Sequence, residues 1–358
     1  MSIASPAAQT IARLDTLQAG RGIAAVYVVL FHARLITDER LGVEVSNRFI
    51  EAGHAGVEFF FVLSGFIIFH IHRKDLGRPD QLWGYLRNRL VRIYPMFWIV
   101  FAMFVAGQAA SGQIDKLLSG AINIARAILL VPFDGLPPMT VAWTLSHELL
   151  FYCLFALAIC SPRIGWMVLA AWWTVCTALI PLSMAMGVSP IFPQSFFFSP
   201  YNLLFLVGIC AASYSSHLPA SALLCGGLFG GGLLLFSVII LLEPQLHDTV
   251  TVVLYGLGAG AMILAAVRAE ELRLVRVTRL MTFLGDASYS IYLLHSIAII
   301  LATMIVGHLG LAAVLPPLGT ALLMAFAGVV AGSLFHVTVE REMMKAFRRK
   351  HRLNAVST

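Results

Sequence analysis

The chain has 358 residues, 59% of them hydrophobic and only 12% charged, and its mean hydropathy is +0.87. Soluble domains carry about 25% charged residues, so the composition excludes a soluble globular enzyme, a disordered protein and a nucleic-acid binder. The net charge of +6 reflects where Lys and Arg fall along a membrane chain, and at about 20 residues per span the apolar content suffices for roughly ten crossings.

Hydropathy and helix breakers predict spans near 20–37, 55–72, 92–110, 141–160, 164–181, 198–214, 221–242, 249–267, 287–307 and 314–337. The fold class is all-α, a polytopic membrane helix bundle of about ten transmembrane helices. With the N-terminus inside, the inside segments hold all 24 Lys and Arg residues except Arg34, Arg40, Arg48, Lys116 and Arg126. The positive-inside rule therefore puts both termini in the cytoplasm. Residues 1–340 read as one integral membrane domain. Residues 341–358, with Arg341, Lys345, Arg348, Arg349, Lys350 and Arg352, read as a basic cytoplasmic tail drawn to anionic headgroups.

Met1 to Gly20 is polar and mixed, without the pattern of a cleavable signal peptide. The five cysteines lie in or beside apolar runs and offer neither a disulfide framework nor a C-x-x-C metal site, so no metal is expected. Gly226, Gly227, Gly230, Gly231 and Gly232 lack the Lys-Ser/Thr of a phosphate loop and read, with Gly256 and Gly260, as helix-packing surface.

Ionisable residues inside spans are costly, and each is a candidate for function. In the first span Arg21 and His32 are eleven residues apart, about 1100° of helix, so they share a face. The rise of about 16 Å sets Arg21 at the cytoplasmic edge and His32 deep in the membrane. The second span places Glu58, Ser64 and Gly65 in an aromatic run. Ser64 lacks the G-x-S-x-G elbow of a nucleophile, and a Ser–Gly pair favours close helix approach.

At the mouth of the third span stand Arg87, Arg89 and Arg92, followed by Ile93-Tyr94-Pro95. They serve as topology anchors or, with Arg89 and Arg92 three residues apart on a helix, as a bidentate clamp for phosphate. The fourth span opens Trp143-Thr144-Leu145-Ser146-His147-Glu148, and Thr144, Glu148 and Tyr152 form a polar stripe. Phe151 stands where a zinc motif needs a second His. A carboxylate at membrane depth needs a cationic or imidazole partner. Depth arguments point to His32, which Glu148 would orient as the acid of a catalytic triad does, with Glu58 as the next candidate. In the ninth span Ser288, Tyr292 and His295 share a face beside Tyr289.

Taken in order, five stretches resemble the membrane acyltransferase 3 family: Arg21-x10-His32, G-V-E-F-F-F-V-L-S-G-F, Arg89-x-x-Arg92 with Ile-Tyr-Pro, W-T-L-S-H-E-L-L-F-Y and Y-S-I-Y-L-L-H. The opening L-Q-A-G-R-G-I-A-A-V-Y-V-V-L-F-H-A is most similar to exopolysaccharide-production (ExoZ-type) O-acetyltransferases. The resemblance implies transfer of an acyl group, usually acetyl, from cytoplasmic acyl-CoA to a hydroxyl of a cell-surface sugar. His32 is then the essential histidine and Arg21 its motif partner. Arg89 and Arg92 hold the CoA phosphates, and Glu148 is the acidic residue of the fourth-span motif. Glu58, Ser64, Tyr152, Tyr289, Tyr292 and His295 are expected to line the substrate path.

The expected partners are the bilayer, a polysaccharide or lipid-linked oligosaccharide acceptor and polysaccharide-assembly proteins, with no nucleic acid. The expected location is the bacterial inner membrane. CoA is too polar to enter hydrocarbon, so its phosphates stay at the arginines while the pantetheine arm threads toward His32, the general base. A His-acyl intermediate is an alternative route. The competing reading is a secondary transporter or flippase with His and Glu as proton-relay groups. No inverted repeat of the transporter kind is visible.

Overall fold

The computed structural model describes residues 14–113, 121–186 and 191–347. Arg13, Lys116, Arg348, Arg349, Lys350 and Arg352, which enter the charge asymmetry, lie outside the described residues. Ten helices among the described residues are long and apolar enough to cross a membrane. Their α-helical segments are α1 (Asp15–Leu41), α2 (Gly56–His72), α3 (Leu82–Ala110), α4 (Trp143–Cys160) and α5 (Pro162–Met186), several of them lengthened by flanking turns such as Gln194–His217 around the sixth. The second half holds α6 (Tyr201–Tyr214), α7 (Ala222–Leu242), α8 (Asp248–Glu271), α9 (Arg279–His308) and α10 (Pro317–Phe335). Each coincides with a predicted span.

Several helices extend past the apolar run that reveals them. α3 begins ten residues before the predicted span at 92, because the stretch Leu82–Val91, with Arg87 and Arg89, is part of the same helix. α10 continues through a π-turn, His336–Glu340, to Phe347, so Arg341 and Lys345 are helical.

Backbone approach at small residues sets which helices touch. A Cβ on Gly65 of α2 would strike the Phe205 carbonyl of α6, and one on Gly208 of α6 would strike the Val62 carbonyl of α2. Gly22 of α1 and Gly285 of α9 interlock in the same way. Without a hydrophobic drive between helices in lipid, such close packing supplies the attraction. The expectation for α7 is corrected in part. Gly232 packs on the Gly258 carbonyl of α8, but Gly226, Gly227, Gly230 and Gly231 face open space, since α7 lies at the edge of the bundle.

Polar links mark the two ends. At one, the Glu270 carboxylate at the end of α8 accepts hydrogen bonds from the backbone N–H groups of Asp15 and Thr16, both 2.8 Å, at the start of α1. The turn after α2 joins the same end, Gly77 N–H donating to the Ala158 carbonyl of α4. At the other, Glu243 after α7 meets His54 before α2 at 2.7 Å. Residues 128–130, ahead of α4, pack against α3 and α4. Their loose carbonyls are met by side chains: Trp98 donates to Ile128, Tyr94 to Leu129 and Ser146 to Leu130. Irregular backbone at membrane depth requires such partners.

Candidate functional site

A cavity opens among α1, α2, α3, α4, α6 and α9. At the end where α1 begins, Arg21 of α1 meets Arg89 and Arg92 of α3 in its wall. Farther in, Ser64 of α2, Thr144, Glu148 and Tyr152 of α4, and Ser288, Tyr289 and Tyr292 of α9 supply the polar lining. Val57, Phe60, Phe61 and Phe205 supply the apolar lining. Lining residues of α2 run from Val57 to Ile68, about 16 Å along the helix. The site is a cavity with arginines at one end and a mixed interior.

The interior centres on Glu148. Its Oε1 accepts the Ser64 hydroxyl at 2.9 Å and the Tyr152 hydroxyl one turn on. Both bonds fall on the same oxygen, so Oε2 is the acceptor left for the cavity. Tyr292 joins Thr144 at 2.9 Å and donates to the Val141 carbonyl, and Tyr289 donates to the Ile93 carbonyl at 2.8 Å. The ninth-span tyrosines thus brace α9 against α3 and α4 while their rings line the path. Ser64 has a part in the site beyond helix packing, and Gly65 beside it makes the close approach.

Arg21 sits among charges of both signs, with Arg92 opposed by Glu340, Glu148 and Asp286. Arg89 is 8% exposed and donates to His72 Nε2 at 2.9 Å, with its guanidinium carbon 5.8 Å from the Tyr152 ring centre. His72 in turn meets Asp75 through Nδ1 at 2.8 Å. Neither His72 nor Asp75 stands out in the sequence, where a histidine at a span end beside Arg73 and Lys74 reads as an interfacial residue.

The expected pairing of Glu148 with His32 is overturned. Glu148 has hydroxyl partners from α2 and its own helix, whereas His32 Nδ1 meets the Val28 carbonyl at 3.0 Å. The His32 ring instead packs edge-on against His295, 4.8 Å between centres. His295 is 0% exposed, bonds the Tyr292 carbonyl through Nδ1 at 2.7 Å and has no partner on Nε2 among the described residues. Neither imidazole lines the cavity. They stand behind Tyr292, whose ring lies 6.0 Å from that of His295. Glu58 does not take over the pairing. It is 1% exposed, away from the cavity, and faces His54 at 3.7 Å. Arg21, Arg89, Arg92, Ser64, Glu148, Tyr152, Tyr289 and Tyr292 therefore converge on one site, while His32, His295 and Glu58 lie outside its wall. Among the described residues no group of His, Cys, Asp or Glu is arranged to hold a metal.

Residues 14–337 match the family described as an acyltransferase domain, acyltransferase 3. The chain is 28% identical over 333 residues to the exopolysaccharide production protein ExoZ of Rhizobium meliloti (strain 1021), covering 90% of this chain and 96% of that one. It is 24% identical to acyltransferase MdmB of Streptomyces mycarofaciens, covering 95% and 94%. A shorter match, 30% identical over 26% of this chain and 45% of the other, is to protein 2 in the picA locus of Rhizobium radiobacter. No solved structure matches significantly.

Proposed function

The chain belongs to the acyltransferase 3 family and is a multi-pass membrane acyltransferase, and from that premise we propose that it moves an acetyl group from cytoplasmic acetyl-CoA to a sugar hydroxyl of a surface polysaccharide or its lipid-linked precursor. The observation that carries this reading is the cavity, whose three guanidiniums stand at one end and whose Glu148 lies within. Guanidinium forks suit the CoA phosphates, because they are always charged and bind oxygen pairs bidentately. Both termini lie in the cytoplasm of a bacterial inner-membrane protein, and the arginine end of the cavity opens on that side. Polysaccharide-assembly proteins deliver the acceptor.

Arg21, Arg89 and Arg92 hold the phosphates at that end, and the pantetheine arm lies along the cavity past Glu148. His32 is the general base. Its Nδ1 is held by the Val28 carbonyl, so the lone pair is on Nε2. Because the imidazole stands behind Tyr292, outside the cavity wall, the acceptor hydroxyl approaches it from that side while the thioester approaches through the cavity. The hydroxyl oxygen attacks the thioester carbonyl, the C–S bond breaks, and CoA leaves as a thiolate that takes up a proton. The products are the sugar ester and free CoA.

The test is release of free CoA from acetyl-CoA by the purified protein with an oligosaccharide acceptor, read with a thiol reagent. Proton NMR of surface polysaccharide from a deletion strain follows the O-acetyl signals. Loss of those signals and acceptor-dependent CoA release are expected. A carrier of envelope carbohydrate would release no CoA, and that result would overturn the proposal.

A further inference from the structure

We infer that His72 and Asp75 form a positioning relay that holds the Arg89 guanidinium in place while leaving its charge free for an incoming anion. Resting on the reading of Arg89 as a phosphate ligand, this assigns a role to two residues behind it.

A guanidinium can only donate hydrogen bonds. The 2.9 Å contact from Arg89 to His72 Nε2 therefore requires a bare lone pair on Nε2 and the ring proton on Nδ1. Asp75 Oδ2, 2.8 Å away, accepts that proton and sets the tautomer. The turn makes this possible. Asp75 N–H bonds the His72 carbonyl and Arg78 N–H bonds the Asp75 carbonyl, which folds the carboxylate back over the imidazole. Gly77, at φ 76°, completes the reversal with a backbone angle that other residues rarely adopt. On the far side the Tyr85 ring packs edge-on against His72, 4.9 Å between centres.

The indirect link has a chemical consequence. A carboxylate placed directly on Arg89 would neutralise it and compete with phosphate. A neutral imidazole fixes the guanidinium by one N–H and leaves its net charge in place. Arg89, a residue of the cavity wall, also keeps a buried Nε N–H with no partner among the described residues.

The experiment uses full-length protein in detergent or nanodiscs, with acetyl-CoA affinity measured by calorimetry and KM and kcat from CoA release. His72→Phe keeps the ring packing and removes both bonds. It is expected to weaken acetyl-CoA binding and raise KM on the order of tenfold, the scale of a lost hydrogen bond to a charged group, with kcat unchanged. His72→Gln, whose carbonyl accepts and whose amide donates, should restore affinity. Asp75→Ala, at a partly exposed turn position, tests the relay independently of folding at His72 and should also weaken binding. If Arg89→Gln weakens binding but His72→Phe and Asp75→Ala do not, the relay is wrong and the phosphate reading stands. Equal losses in His72→Gln and His72→Phe would also overturn the relay. Wild-type affinity in Arg89→Gln would remove the phosphate reading itself and the relay with it.

Discussion

The hydroxyl of Ser64 donates to the carboxylate of Glu148 across 2.9 Å, joining the middle of α2 to the early turns of α4 at the cavity wall. With the Tyr152 hydroxyl on the same oxygen, the bond directs the other carboxylate oxygen to the cavity. Glu148→Gln keeps the shape and loses the charge. We expect acetyl transfer to fall on the order of a hundredfold at unchanged thermal stability, and Ser64→Ala and Tyr152→Phe to cost less. CoA release by the three purified variants measures this; wild-type turnover in Glu148→Gln would leave the carboxylate a packing role.

For His32 the expected outcome is complete loss of polysaccharide acylation in His32→Ala, with membrane expression intact. The measurement is acyl content of surface polysaccharide at matched protein level. Normal content would remove His32 from the chemistry and turn attention to Glu148, which faces the cavity directly.

Lysine at Arg89 or Arg92 preserves charge and topology but not the planar fork. Acetyl-CoA should bind each variant more weakly, on the order of tenfold, whereas dephospho-CoA should discriminate less between variant and wild type. Equal affinities for both ligands would reduce the arginines to topology anchors.

Gly65→Ala and Gly208→Ala each drive a methyl group into the backbone carbonyl of the facing helix. Overpacking of this kind costs about 1–3 kcal/mol, so the Tm in detergent should fall for both. Gly230→Ala, with nothing within 4 Å of the added carbon, should leave Tm unchanged or raise it. A Tm equal to wild type in Gly65→Ala would contradict the close α2–α6 approach.

Glu243 lies between α7 and α8, and the hydrogen bond from His54, followed by that from Tyr255, holds its carboxyl below the usual carboxylate range. A depressed folded-state pKa means the unfolded chain binds the proton more readily. The stabilisation is thus present above the unfolded pKa of about 4.3 and lost as pH falls through the folded value. Glu243→Gln should lower Tm at pH 7, and its deficit relative to wild type should shrink below about pH 4. A deficit independent of pH would assign the effect to packing.

Much of the architecture was legible in residue order. Long apolar runs identify ten helices, because no other backbone arrangement satisfies its hydrogen bonds in lipid along a single segment. Helical spacing places Thr144, Glu148 and Tyr152 on one stripe, and all three line the cavity. Arg21, Arg89 and Arg92, read as lying at one level of the membrane, meet at one end of it.

The partner of Glu148 was a different kind of question. Rise per residue gives depth, and by depth alone His32 matched Glu148 well. Two groups on different helices must also agree in direction around the bundle, a coordinate that no periodicity within a single helix contains. That direction follows from which helices pack and at which small residues. Gly22 and Gly285 lock α1 against α9 and set His32 beside His295, while Ser64, 84 positions from Glu148 in sequence, supplies the hydroxyl that Glu148 accepts. The same holds for Asp75, His72 and Arg89, whose alignment depends on a turn folding one helix end back against another. Depth and helix face were determined by the sequence through hydropathy and pitch. The neighbours across the bundle were decided by tertiary packing, because contacts between backbones, and not any repeat along the chain, choose which faces meet.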